Sequence, residues 1–136
     1  KSLSKIIRCT INGVNSATQY GGLSALINTD DEYIQGNIKE YTKRRDMIYL
    51  TASQSDFLQP VKPEGAFYLW CKIKNEWKPE IVKDRGWVMT LDCLNLGVGS
   101  APGEVFGPKG KNHIRFSFSC PTTDVELASE LLIKLN

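Results

Sequence analysis

The sequence predicts a mixed α/β (α+β) domain, in which helices cover a sheet of about three or four strands and a helical extension precedes them. One stretch alternates in polarity with the period of a strand, and two others carry apolar residues every three or four positions, as amphipathic helices do. At 136 residues the chain is long enough for one domain with a real core. We predict a helical segment over residues 1–52 and the sheet domain over residues 53–136.

Composition and charge exclude several classes of protein. The 17 basic and 15 acidic residues give a net charge of +2, and the lysines are scattered, so the sequence suggests neither nucleic acid nor a membrane surface as a partner. It shows neither an apolar run of about 18 residues nor a charged-then-apolar leader, so we expect a cytoplasmic protein without a spanning helix. The first residue is Lys1 rather than Met, which suggests a processed piece of a longer chain.

Four cysteines are spaced too far apart for a zinc site, and no metal is expected. Cys71 and Cys93 lie in apolar stretches, which favours buried free thiols, with disulfides as the alternative.

The N-terminal part reads as helical. Asn15 or Ser16 is the predicted cap of a helix rich in small residues. After an acidic start, a long helix ends near Ala52, and its stripe comprises Ile34, Ile38, Tyr41, Arg45 and Ile48. The basic run 43–46 on this helix reads as a solvated face, with a phosphate patch as the alternative.

The C-terminal part alternates strands and helices. The predicted elements are a turn-rich connection over 53–64, strands over 65–73, 97–101 and 113–119, a helix around 87–94, and a final helix that opens on a capping box at Thr123–Glu126. Both faces of the strand over 65–73 are largely apolar, so we expect it to be covered on each side.

The strand over 113–119 carries the most informative side chain. Arg115 lies on its polar face, while Ile114, Phe116 and Phe118 lie on the other. An arginine fixed on a strand behind a glycine-rich loop can present a planar fork to a carboxylate. The alternative is a surface arginine without a ligand. His113, the single histidine, reads as a polar strand residue rather than a catalytic group.

Three motifs together resemble the fold-type I (class I/II) pyridoxal-phosphate-dependent aminotransferases. The segment GVGSAPGEVFGPKGKNHIRFSFS is similar to their closing motif, PEGAFYLW to their P-x-G-A-F-Y strand, and NSATQYGGLSAL to the segment before their long interdomain helix. They occur in the family's order and at its spacing. The resemblance covers nearly the whole chain and implies the small C-terminal domain, with a mainly antiparallel sheet.

The resemblance implies a function and site residues. It implies amino-group transfer between an amino acid and a 2-oxo acid with pyridoxal phosphate as cofactor, in a homodimer. Arg115 matches the arginine that binds the substrate α-carboxylate, and that grip holds the Cα–H bond perpendicular to the cofactor ring. Asn15 and Ser16 match a loop that can reach the cofactor phosphate of the partner subunit, although simple capping also explains them.

The resemblance also implies that most of the cofactor site lies outside this chain. The sequence SLSK, ending at Lys5, looks like the motif of the Schiff-base lysine, but only nine residues separate it from Asn15, where the family has several tens. We therefore expect no catalytic residue in this chain, a large cofactor domain upstream, and no activity from the chain alone. The alternatives are another pyridoxal-phosphate reaction, such as a lyase or decarboxylase, and a non-catalytic dimerisation module of a regulator.

Overall fold

A computed structural model describes residues 2–11, 13–81 and 83–135 of the chain. Its helices are α1 (Ser2–Thr10), α2 (Ser16–Asn28), α3 (Asp31–Gln54), α4 (Arg85–Asn95) and α5 (Thr122–Leu132). Its strands are β1 (Leu58–Val61), β2 (Tyr68–Ile73), β3 (Ala101–Pro102) and β4 (His113–Ser117). Short 3-10 turns follow β3 at Gly103–Phe106 and Pro108–Gly110. The predicted α+β class, with an antiparallel sheet and a helical N-terminal part, is confirmed.

The chain divides into two compact units, residues 1–38 and residues 39–136, and the division falls inside α3. The domain boundary predicted after residue 52 stays a prediction. Within the described ranges, no helix is both long enough and apolar enough to cross a bilayer.

The first unit is helical and has no interior of its own. Asn15 caps α2 as predicted, since its Oδ1 accepts a hydrogen bond of 2.9 Å from the backbone N–H of Thr18. No residue of α1 or α2 is buried, although both helices carry large apolar side chains. Leu26 is 86% exposed and Tyr20 is 74% exposed. These helices therefore gain almost nothing from burial within the described chain.

The second unit is built around a four-stranded sheet in the order β1-β2-β4-β3, and every neighbouring pair is antiparallel. The central pair is β2 and β4, which places Trp70 opposite Arg115 and Cys71 opposite Ile114. Because side chains alternate along a strand, this register sorts the two strands into one apolar and one mixed face.

The apolar face of the sheet forms the core with residues from α3, α4 and α5. Its strand side chains are almost completely buried and are Leu69, Cys71, Ile73, Ile114 and Phe116. Cys71 and Cys93 are buried free thiols, as predicted, and burial raises the pKa of Cys71 to about 12 and that of Cys93 to about 11. On the opposite face, the described residues of the second unit cover β2 only in part, whereas we expected it to be covered on each side. There Tyr68 and Trp70 are half-buried and Lys72 is exposed.

Three local predictions were wrong. The connection over 53–64 contains strand β1, which accommodates Pro60 because it lies at the sheet edge. The strand expected over 97–101 is reduced to Ala101–Pro102, since Gly97 with a φ of +92° still belongs to the end of α4. The capping box does not form, because α5 begins at Thr122 without a side-chain cap.

Arg44 and Glu40 connect α3 to the start of α5. The guanidinium of Arg44 donates to the carbonyl oxygen of Cys120 at 2.7 Å, to Oγ1 of Thr122 at 3.0 Å and to Oε1 of Glu40. The hydroxyl of Thr122 also donates to Glu40. Arg44 therefore links α3 to the start of α5, so neither the solvated-face interpretation nor the phosphate-patch interpretation describes this residue, whereas Lys43 of the same run is exposed.

We predict that this network makes stability sensitive to acid. The hydrogen bonds from Thr122 and Arg44 hold the pKa of Glu40 below its usual value of 4.5. A carboxyl whose pKa is lower in the folded state stabilises the fold above its unfolded pKa, and that contribution is lost as the pH falls through the folded pKa. Glu40→Gln should therefore lower the melting temperature at pH 7 and reduce its fall between pH 5 and pH 3. Glu126→Gln is the control, because Glu126 is exposed on α5. If the melting temperature of Glu40→Gln fell between pH 5 and pH 3 as much as that of the unsubstituted chain, the prediction would be contradicted.

Candidate functional site

Arg115 lies at the middle of β4 on the face of the sheet opposite the core. It pairs with Trp70 of β2 on one side and with Ala101 of β3 on the other, so its backbone is fixed by strands on both sides. The side chain is half-buried. The sequence prediction of a central arginine on the polar face of this strand is confirmed.

Two aromatic rings contact the guanidinium of Arg115. Its central carbon lies 4.1 Å from the ring centroid of Tyr68 and also 4.1 Å from that of Phe106. Tyr68 belongs to β2, and Phe106 ends the 3-10 turn after β3. At this distance the cation contacts the faces of both rings, which restricts its rotation without using its N–H groups in hydrogen bonds.

The N–H groups of Arg115 differ from those of the other arginines in the second unit. Arg44 and Arg45 pair with acidic side chains, and buried Arg85 donates to four backbone carbonyl oxygens at 2.7–3.1 Å. Within the described ranges, the structure records only ring contacts for the guanidinium of Arg115. The guanidinium of Arg115 therefore has parallel N–H donors available to bind an anion.

The loop between β3 and β4 carries Phe106 and is closed by two glycines. A Cβ at Gly103 would overlap the carbonyl oxygen of Gly110, and a Cβ at Gly110 would overlap that of Gly103. Between them, Gly107 has a φ of +119°, a conformation that favours glycine. The glycines of the loop thus permit a tight backbone contact that a larger residue would open.

The same loop packs against the first turn of α4. A Cβ at Gly86 would overlap the carboxylate of Glu104 and would lie 2.7 Å from the carbonyl oxygen of His113. Gly86 is the contact through which α4 supports the loop and β4.

A third aromatic residue and the histidine complete this face. Trp70 stacks on His113 with a centroid separation of 5.3 Å and meets Phe106 edge-on at 5.9 Å. Nδ1 of His113 lies 2.7 Å from the carbonyl oxygen of Lys111, so this nitrogen carries the proton and donates. The histidine is a satisfied polar residue, as the sequence indicated.

Sequence reasoning missed the aromatic partners of Arg115. Neither Tyr68 nor Phe106 was predicted to lie near Arg115. The period of a strand could have indicated Tyr68, since it places Tyr68 on the same face of β2 as Trp70, which pairs with Arg115. Phe106 reaches the site through the folding of a loop, which carries no periodic signal.

The other predicted site residues, Asn15 and Ser16, belong to the first unit. Both are exposed at the start of α2, where Asn15 acts as the helix cap. Lys5 is exposed on α1, and the structure records no hydrogen bond or ion pair for it within the described ranges. Among the described residues of the first unit, Lys5 is therefore not enclosed together with donors for a phosphate.

Comparison with curated proteins finds aminotransferases. The chain is 29% identical over 128 residues to a probable aspartate aminotransferase of Methanocaldococcus jannaschii, which covers 93% of this chain and 31% of that protein. It is 30% identical over 120 residues to a probable N-acetyl-LL-diaminopimelate aminotransferase of Bacillus subtilis, covering 88% of this chain and 29% of that protein. The chain thus spans about a third of the length of these relatives. No protein-family model matches it.

Solved structures give the same result for the fold. An alanine aminotransferase from Pyrococcus furiosus matches 81% of this chain and 27% of its own, with a TM-score of 0.69 and 30% identity. An aromatic aminotransferase from Pyrococcus horikoshii matches 96% of this chain and 34% of its own, with a TM-score of 0.80 and 24% identity. The resemblance inferred from the three motifs is confirmed.

We predict that Gly110→Ala destabilises the second unit by about 1–3 kcal/mol, because the new methyl group meets backbone that cannot rotate away. Urea unfolding followed by tryptophan fluorescence measures this change. Gly99→Ala is the matched control, since a Cβ there meets nothing within 4 Å. Equal midpoints for the two variants would show that the contact between Gly103 and Gly110 is not tight in solution.

Proposed function

We propose that this chain, which matches the C-terminal part of the fold-type I aminotransferases in sequence and in fold, is that part of a pyridoxal-phosphate-dependent aminotransferase, and that it supplies the arginine for the substrate α-carboxylate. The parent protein would transfer an amino group between an amino acid and a 2-oxo acid. The observation that carries the proposal is the position of Arg115, whose guanidinium lies between two aromatic rings and makes no recorded hydrogen bond within the described structure.

The chemistry of a carboxylate suits this arrangement. A guanidinium offers two parallel N–H donors at the spacing of two carboxylate oxygens, and charge-assisted pairs of this kind are the stronger hydrogen bonds. Holding both oxygens fixes the rotation of the amino acid about the bond between its carboxylate carbon and Cα. The bonds at Cα are then held in one orientation, which a reaction at that carbon requires. Arg115 would act by binding and orienting, and it would not transfer a proton.

The cofactor would be held by parts of the protein outside this chain. The described residues lack an enclosed lysine, and the SLSK segment lies on an exposed helix. The fold supports a role for this chain as one wall of an active site whose cofactor is bound elsewhere. This division of labour also accounts for the length of the relatives, about three times that of the chain.

We further propose that the exposed apolar side chains of the first unit are covered by another protein surface. A unit of fewer than about 40 residues rarely folds stably without external support, and α1 and α2 bury no residue of their own. The cover would come from the rest of the parent protein and from a second subunit of a homodimer. In that assembly Asn15 and Ser16, at the start of α2, could approach the cofactor phosphate of the partner subunit.

We predict that Arg115→Lys in the full-length parent protein lowers kcat/KM for amino-acid substrates by about 10²–10³-fold, because a lysine offers a point charge in place of a two-pronged donor. Steady-state kinetics with the amino acid varied would measure the change. Arg45→Lys is the control, since Arg45 pairs with its neighbour Asp46 on α3. A kcat/KM equal to that of the unsubstituted enzyme would exclude Arg115 as the carboxylate residue.

We predict no transaminase activity from the 136-residue chain alone. After incubation with pyridoxal phosphate and reduction with borohydride, peptide mass analysis should show only scattered, substoichiometric labelling of lysines. Stoichiometric label confined to Lys5 would contradict the proposal, since it would make SLSK a working cofactor motif. A Lys5→Arg variant provides the control for that peptide.

A further inference from the structure

Phe106 occupies an unusual position for a large aromatic side chain. It is 49% exposed, yet its ring lies 4.1 Å from the guanidinium carbon of Arg115 and 5.9 Å from the ring of Trp70. An exposed phenylalanine gains little from burial, so its placement over a cation calls for another explanation. The contact with Arg115 provides one.

We propose that Phe106 is a positioning residue, which together with Tyr68 clamps the guanidinium of Arg115 in the orientation that receives a carboxylate. This inference rests on the proposed function, since it assumes that Arg115 binds a carboxylate. Its basis is the pair of equal ring distances, 4.1 Å from Tyr68 and 4.1 Å from Phe106.

The two halves of the clamp have different origins. Tyr68 is part of β2 and lies diagonally across from Arg115 in the register, so its backbone is held by the sheet. Phe106 lies on the loop that the contact between Gly103 and Gly110 closes. No ring contact between Tyr68 and Phe106 is found in the described part of the chain, which fits a cation lying between the two rings rather than a stacked aromatic pair.

The clamp would work by pre-organisation. An arginine side chain has several rotatable bonds, and a free one loses much of their entropy when it binds a ligand. Contact with two rings removes part of that freedom before the ligand arrives, and it leaves the N–H groups without a hydrogen-bond partner among the described residues. Phe106 would thus strengthen carboxylate binding without touching the carboxylate.

The test uses the 136-residue chain and acetate as the carboxylate probe. The ¹⁵Nε–¹Hε signal of Arg115, assigned by its disappearance in Arg115→Lys, reports both rigidity, through its heteronuclear NOE, and acetate binding, through its shift. Phe106→Leu keeps an apolar side chain but removes the ring, and Phe106→Tyr keeps the ring. Val105→Ala is the matched control, because Val105 is an exposed residue of the same turn for which no ring contact is recorded.

We expect Phe106→Leu to lower the NOE of the Arg115 signal and to weaken acetate binding about 3- to 10-fold, the range that a single cation–π contact supports. Phe106→Tyr should restore both values, and Val105→Ala should leave both unchanged. Wild-type rigidity and affinity in Phe106→Leu would overturn the clamp.

The same experiment tests the carboxylate-binding role of Arg115 independently of the clamp. If Arg115→Lys still binds acetate as the unsubstituted chain does, with the binding followed through the shifts of neighbouring backbone amides, then Arg115 is not the carboxylate residue. The NOE of the Arg115 signal in Phe106→Leu would still decide whether the clamp exists. Melting temperatures of all variants show that the comparison is made between folded chains.

Discussion

The pairing of β2 with β4 is the constraint on which the second unit depends. Its register fixes which side chains enter the core, since Leu69 and Cys71 of β2 meet Phe116 and Ile114 of β4 on the buried face. The same register brings Tyr68, Trp70 and Arg115 to the opposite face. A shift of one residue between the strands would exchange these sets, burying a guanidinium and exposing the core. The position of the candidate site is thus a by-product of the pairing that forms the core.

The arginines of the second unit show how context assigns a role to one residue type. Arg85 is buried and donates its N–H groups to backbone carbonyl oxygens of the loop before α4. Arg44 donates to Thr122 and to the carbonyl oxygen of Cys120, where α3 meets the start of α5. Arg44 also lies 5.3 Å from the ring centroid of Tyr41, but its N–H groups are engaged in hydrogen bonds. In the described part of the chain, aromatic rings are the only contacts recorded for the guanidinium of Arg115, and rings stabilise the cation without occupying its N–H groups. An arginine that is fixed in place, and whose N–H donors make no hydrogen bonds within the described structure, is suited to bind an anionic ligand.

Much of this fold could be predicted from the sequence, because its longer elements repeat with a regular period. The alternation around Arg115 gave the correct faces, and the stripe through Ile48 gave the long helix. Strand β1 was missed because Pro60 reads as a turn signal and only its position at the sheet edge makes it tolerable. The cap expected at Thr123 failed because α5 already begins at Thr122, which places Thr123 inside the helix. Phe106 was out of reach, because its place depends on a backbone contact between two glycines distant from periodic structure.

The absence of buried residues in α1 and α2 bears on any measurement of the stability of this chain. Cooperative unfolding, the slope against denaturant and the heat-capacity change all reflect surface that becomes exposed when a core is lost. Helices that bury nothing contribute little to these quantities. A single observed transition would therefore describe residues 39–136, and the helical N-terminal unit could lose its structure without a visible step.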